Sequence, residues 1–151
     1  MRKLFITGES GMLATSIIKA LEESGTERFE VMDNSDLAEY TNDFSYLNGK
    51  LVKSKEVDVT DTDVLDKVAS RLTEDDIIIH TAAYVNTDKC DDFSYEAVNS
   101  NIISTQNLIN IASSVGCKMI YFSTTAVFNP DEYMKNNGEF NETAPIDPKT
   151  L

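Results

Sequence analysis

The sequence predicts an α/β fold in which a doubly wound parallel sheet is covered by helices on both faces. Three observations predict it. Short, near-continuous apolar runs such as Leu4-Phe5-Ile6, Ile77-Ile78-Ile79 and Met119-Ile120-Tyr121-Phe122 read as buried strands. Between them lie segments with apolar residues at helical spacing, and glycines punctuate the junctions.

The elements follow in order. Leu4-Phe5-Ile6 is the first strand, closed by Thr7-Gly8. From Met12 to about Glu23, Leu13, Ile17, Ile18, Ala20 and Leu21 recur at helical spacing, and Gly25 marks the stop. Phe29 to Met32 is a second strand, and Leu51-Val52 with Val57 predicts a third whose interior is polar. Thr60 or Asp61 can cap a helix that carries Val64, Leu65, Val68 and Leu72 on one face. Asp76 to His80 is a fourth strand. A long helix from about Tyr95 to Val115 is expected to turn Val98, Ile102, Leu108, Ile109 and Ala112 inward before Gly116 ends it. Lys118 to Phe122 is the fifth strand. All three prolines fall in 129–151, which reads as a surface loop with a turn signal at Lys135-Asn136-Asn137-Gly138.

A chain of 151 residues holds one domain with a real core. Its formal charge of −13 leaves no basic stripe, which argues against nucleic acid and anionic membranes as partners. No apolar run is long enough to span a bilayer and the N-terminus has no signal-peptide pattern, so a cytoplasmic location is expected. Cys90, Cys117 and the single histidine, His80, lack metal-ligand spacing, so no metal site is expected. His80 closes a buried strand and reads as a hydrogen-bonded core histidine.

Chemistry concentrates at Thr7-Gly8-Glu9-Ser10-Gly11-Met12-Leu13-Ala14, where the first strand turns into the first helix. Gly8 permits a tight turn, Gly11 lets the backbone approach a pyrophosphate, and Ala14 lets the helix pack on the strand. The N–H groups at Met12 and Leu13 then face the phosphates. A plain strand-to-helix turn is the competing reading. Asp33, 19 residues after Ala14, ends the second strand where a carboxylate can accept hydrogen bonds from an adenosine ribose and repel a 2′-phosphate. NAD is therefore expected ahead of NADP. Asn34-Ser35-Asp36 also allows Asp33 to be a turn residue, and no arginine follows to hold a 2′-phosphate.

Thr7-Gly8-x-x-Gly11-x-x-Ala14 resembles the TGxxGxxG/A fingerprint of extended short-chain dehydrogenases/reductases, which include sugar-nucleotide epimerases, dehydratases and reductases built on a Rossmann-type domain. Four further segments match in order. Val57-Asp58-Val59-Thr60-Asp61 resembles the stretch that contacts adenine, which implies Asp58 and the Val59 amide. His80-Thr81-Ala82-Ala83-Tyr84 resembles the segment packed against the nicotinamide-side ribose. Asn101 to Leu108 is similar to the NVxGTxNL helix, with Asn101 as its structural asparagine. Phe122 to Phe128 matches the segment whose hydroxyl binds the substrate oxygen, which implies a catalytic role for Thr124. Ala83 to Asp91 and Ser123 to Phe128 resemble the dTDP-4-dehydrorhamnose reductase branch, while Asp33 is closer to an epimerase-like pattern.

The resemblance implies a cofactor-binding domain at 1–128, a loop at 129–151, and a nucleotide-sugar substrate. The family's tyrosine and lysine act as a YxxxK pair, and this chain contains none. Glu142 to Leu151 resembles the run that leads into that tyrosine. Such a sheet, cut after about five strands, would expose an edge and an apolar face, so self-association is expected. Three functions remain open: the cofactor half of an NAD(P)-dependent sugar-nucleotide enzyme, a catalytically inactive NAD-binding or protein-interaction module, and an acidic scaffold that binds no cofactor.

Overall fold

The computed structural model describes residues 1–25, 27–37, 39–47, 50–86, 89–90, 92–129, 131 and 143–148, with backbone only for 39–47 and 50–56. Pro130, Tyr133, the 135–138 turn signal, Glu142 and Lys149 to Leu151 lie outside the described residues.

Four strands form a parallel sheet: β1 (Arg2–Thr7), β2 (Phe29–Val31), β5 (Ile77–His80) and β6 (Lys118–Tyr121). Their order is β2-β1-β5-β6, and the register aligns Thr7 with His80 and His80 with Tyr121. Three strands therefore end level, and their exit loops start side by side. The expected α/β Rossmann-type architecture is present.

Alternation along the strands divides the core between two faces. Phe5 and Ile78 point to one face and join Val68 of α2 (Thr62–Arg71) and Leu72 just after it with Leu108 and Ile111 of α4 (Ser104–Val115). Leu4, Ile6 and Ile79 point to the other and meet Ala14, Ile17 and Leu21 of α1 (Met12–Glu23). Asp61 caps α2 by accepting from the amides of Asp63 and Val64, at 2.8 and 3.3 Å. Gly116 ends α4 in a left-handed conformation at φ 82°.

The expected third parallel strand is not in this sheet. Leu51 and Val52 lie in β4 (Lys50–Glu56), which pairs antiparallel with β3 (Glu39–Leu47). A strand buried on both faces needs a near-continuous apolar run, and Leu51-Val52-Lys53-Ser54-Lys55-Glu56 is too polar for that. The missed signal is Asn48-Gly49, a hairpin dipeptide set between the paired Leu47 and Lys50.

The long helix runs as α3 (Ser94–Val98), a π-helical turn (Asn99–Ile103) and α4. Leu108 and Ala112 face inward as expected, but Ile102 and Ile109 are 55% and 44% exposed. The core side is instead set by Ala97, Ser104, Leu108 and Ile111. Ile109, one residue beyond Leu108, is rotated by about 100° onto a different face. Ser104 hides the true periodicity: it is polar yet buried, because its hydroxyl donates to the Ser100 carbonyl at 2.6 Å.

Beyond β6, Thr125–Val127 form one 3₁₀ turn, and residue 146 returns to bridge Phe128 in antiparallel fashion. The Asn129 amide donates to the Asp147 carboxylate at 2.6 Å. The described part of the expected loop thus folds back on the strand exit.

The Leu108 and Ile109 assignments separate cleanly by stability. Leu108→Ala, at a fully buried position, is expected to cost about 2–5 kcal/mol. Ile109→Ala should stay within about 0.5 kcal/mol of the parent. Urea denaturation of both variants checks the pair, and equal losses would contradict the rotation.

Candidate nucleotide-binding site

The crossover from β1 to β2 moves one way across the sheet and the next moves to β5 on the other side of β1. The crevice at the carboxyl ends of β1 and β5 is therefore the switch point where parallel α/β sheets take ligands. Four loops surround it: 8–11, 32–37, 81–86 and 122–124.

Gly8 sits at φ 67°, and a Cβ there would meet the Ala82 backbone at 2.9 Å. The loop after β1 is thus pressed against the loop after β5, and only glycine fits between them. Gly11 donates to the Gly8 carbonyl at 2.8 Å and forms the N-cap of α1 without any side-chain cap. Met12 and Leu13 are exposed in the first turn, which contains no acidic residue. The contrast with the aspartate-capped α2 is direct: α1 opens its N-terminal dipole on the crevice uncompensated by a side chain.

A buried polar chain holds the crevice walls. The Thr7 hydroxyl accepts from the amides of Thr81 and Ala82, both at 3.2 Å. Its single proton then goes to His80 Nδ1 at 2.7 Å. This fixes His80 as the Nε2–H tautomer, which donates to the Thr105 hydroxyl at 2.9 Å. Thr105 in turn donates to the Asn101 carbonyl at 2.8 Å. Asn101, in the π-helical turn, clamps Tyr84 on both sides: it accepts from the Tyr84 amide at 2.7 Å and donates to its carbonyl at 3.2 Å. The Thr81 hydroxyl closes the set on the Thr7 carbonyl at 2.6 Å. His80 is 1% exposed, and burial pushes its pKa below the ordinary value.

The remaining expected residues divide by position. Asp33 is exposed at the exit of β2, and its carboxylate accepts from the Ser35 amide at 2.9 Å, which holds its pKa down. Asp58 accepts from the amide and hydroxyl of Thr60, at 2.8 and 2.7 Å, so it also shapes the turn into α2. Val59 is buried, and its carbonyl accepts from Asn107 at 3.1 Å. Ala82 is half-buried and Ala83 exposed beside Gly8 and Tyr84 in the loop after β5. Thr124 stands across the crevice after β6, where its hydroxyl accepts from the Ala126 amide at 3.2 Å.

Two residues were not singled out from the sequence. Glu9, in the loop after β1, has its pKa raised by burial and then by the charge of Asp33. Arg71, at the end of α2, donates to the Asp33 carbonyl at 3.3 Å and pairs with Asp36. Glu9 was visible as a charge within the glycine turn, whereas the position of Arg71 depends on the fold.

The RmlD substrate binding domain family profile matches residues 1–151. The chain belongs to this family. It is 30% identical over 134 residues to an uncharacterized membrane protein of Methanocaldococcus jannaschii, covering 88% of this chain and 39% of that protein. It is 27% identical over 129 residues to UDP-glucose 4-epimerase 2 of Arabidopsis thaliana, covering 83% and 37%. The crystal structure of dTDP-4-dehydrorhamnose reductase from Bacillus anthracis in complex with NADP superposes with a TM-score of 0.70 at 23% identity, covering 99% of this chain and 44% of that one. The chain spans less than half the length of these relatives. Among the described residues, no helix is long and apolar enough to cross a membrane.

Thr7→Val removes the hydroxyl on which two amides and an imidazole depend, and is expected to cost about 1–3 kcal/mol in urea denaturation. A cost near zero would show that the three groups find other partners.

His80 carries the pH dependence above the carboxylate range, since the chain has no other histidine. Its folded pKa lies below the unfolded value near 6.5, so the unfolded chain takes up the proton first. Stability should be full above about pH 6.5 and decline as pH falls below it. Glu9, with a raised pKa, acts in the opposite direction. Urea midpoints of the parent and His80→Gln separate the two, and the decline should vanish in the variant.

Proposed function

We propose that this chain is the cofactor-binding part of an NAD(P)-dependent oxidoreductase acting on a nucleotide-linked sugar, either a 4-keto sugar reductase or an epimerase/dehydratase. The observation that carries the reading is the Gly8–Gly11 turn, which presents the uncapped N-terminus of α1 at the switch point between β1 and β5. A pyrophosphate there meets helix N–H groups and a backbone free of Cβ, which suits a chain with a formal charge of −13. The relatives point the same way, since one is an epimerase of a nucleotide sugar and one solved neighbour holds NADP.

In this reading Gly8, Gly11, Met12 and Leu13 hold the pyrophosphate, and Asp33 holds the adenosine ribose. Asp58 and the Val59 amide face adenine. Ala82, Ala83 and Tyr84 flank the nicotinamide-side ribose, with Asn101 fixing the backbone of Tyr84. When bound, the dinucleotide supplies hydride transfer to a carbonyl carbon or from a carbinol carbon. Thr124 orients the substrate oxygen through its hydroxyl, whose proton remains available while the oxygen accepts from Ala126. The domain spans 1–128, and the 129–151 segment follows it in sequence. Catalysis in this reading uses a tyrosine and lysine pair that this sequence does not contain as YxxxK. Exposed Ile120 and Tyr121 of β6, with Phe122 just after it, support self-association, which light scattering across a range of concentrations tests; a monomer throughout counts against it.

NAD is proposed as the preferred cofactor because Asp33 meets the 2′ position with a carboxylate. Calorimetric titration is expected to show tighter binding of NADH than of NADPH. Asp33→Ala should weaken NADH severalfold while narrowing the difference. Equal losses for both cofactors would refute the ribose role, and no binding to a folded chain would favour the scaffold reading.

A further inference from the structure

The fold brings to the loop of Asp33 the guanidinium of an arginine that does not follow Asp33 in sequence and whose main chain lies toward the amino end of the sheet. Arg71 ends α2, and its Nη1 donates to the main-chain carbonyl of Asp33 at 3.3 Å and to Asp36 Oδ1 at 3.1 Å. Its Nη2 makes a short ion pair with Asp36 Oδ2. These bonds use three of the five guanidinium donors, and the other two have no partner among the described residues. The pair opens on solvent, with the Arg71 and Asp36 side chains 30% and 62% exposed. Lys67, one turn earlier on α2, places a second positive charge within range of Asp36.

We propose that the Arg71–Asp36 pair sets the choice between NAD and NADP. Asp36 neutralises the guanidinium and holds it on the 33–36 loop, so that Asp33 meets the ribose as an unopposed carboxylate. A 2′-phosphate is a better bidentate partner for a guanidinium than a ribose hydroxyl is, but it gains Arg71 only when Asp36 releases it. Asp33, Asp36 and Arg71 together carry one negative charge in excess, which opposes a phosphate dianion. Without the Asp36 charge the three positions balance, and Arg71 can turn its donors to the phosphate. This inference rests on the dinucleotide reading above and adds the residue pair that discriminates within it.

The test measures NADH and NADPH dissociation constants calorimetrically for the parent, Asp36→Asn, Asp36→Ser, and Asp36→Asn combined with Arg71→Gln. An exposed ion pair contributes little to stability, so the single variants should fold, and a thermal melt of each confirms it. Either single variant should lower the NADPH-to-NADH ratio of dissociation constants about tenfold, the effect of one charge-assisted hydrogen bond. The added Arg71→Gln should abolish that gain, and raised ionic strength should shrink it. An unchanged ratio in both single variants, or a gain that survives the loss of Arg71, overturns the inference while leaving NADH binding in place. Binding of neither cofactor to the folded parent overturns the dinucleotide reading and this inference with it.

Discussion

The hydroxyl of Thr7 decides the geometry of the candidate site. A hydroxyl has one proton and two lone pairs, and here two amides take the lone pairs while His80 Nδ1 takes the proton. Every later bond has its direction forced by that assignment, through the imidazole to Thr105 and on to Asn101. The chain starts at the turn before α1 and ends at the residue that clamps Tyr84. Both walls of the crevice are therefore referenced to one side chain at the end of β1. Gly8 completes the constraint: its backbone lies so near Ala82 that the two loops have a single separation.

The opposite end of the sheet is pinned by other means. Asp76 is buried, which alone would raise its pKa, yet it accepts from the Lys3 amide at 2.7 Å and from the amide and hydroxyl of Thr73 at 2.8 and 2.9 Å. These bonds outweigh the cost of burial and hold the carboxyl ionised. Lys3 also donates its ammonium to the Arg71 carbonyl at 2.9 Å, which satisfies the last turn of α2 and favours the dipole there. The amino end of the sheet is thus held by charge, and the carboxyl end by neutral groups. That division leaves the crevice free of fixed cations from the strands, so in the proposed reading anion binding falls to the helix N-terminus.

The parallel sheet was legible because buried strands and amphipathic helices have different periods, and Leu4 to Ile6 or Ile77 to Ile79 satisfy only one of them. The glycine turn was legible because its requirements are local. Ile102 and Ile109 were misassigned because Ser104 looks polar in sequence but satisfies its own hydroxyl within the helix. Leu51 and Val52 were misplaced because two apolar residues suggested a buried strand while their polar neighbours belonged to a hairpin. Pairings across 73 residues, such as Thr7 with His80, follow from strand register, which no local pattern encodes. Arg71 meets the Asp33 loop across 38 residues for the same reason.

Electrostatics at the ribose end then follow from what each loop can contribute. The loop after β1 brings Glu9, and the loop after β2 brings Asp33 and Asp36. Glu9 feels both burial and the charge of Asp33, so the two carboxylates sense each other across the mouth of the site. A ribose with two free hydroxyls donates to such carboxylates and relieves their repulsion, whereas a 2′-phosphate adds to it. The cation able to reverse that balance comes from α2, outside the strand-to-helix unit that builds the phosphate turn. In the proposed reading, phosphate binding and ribose discrimination thus reside on different elements. Substitutions on α2 can alter the second while leaving the Gly8–Gly11 turn, and the helix dipole behind it, untouched.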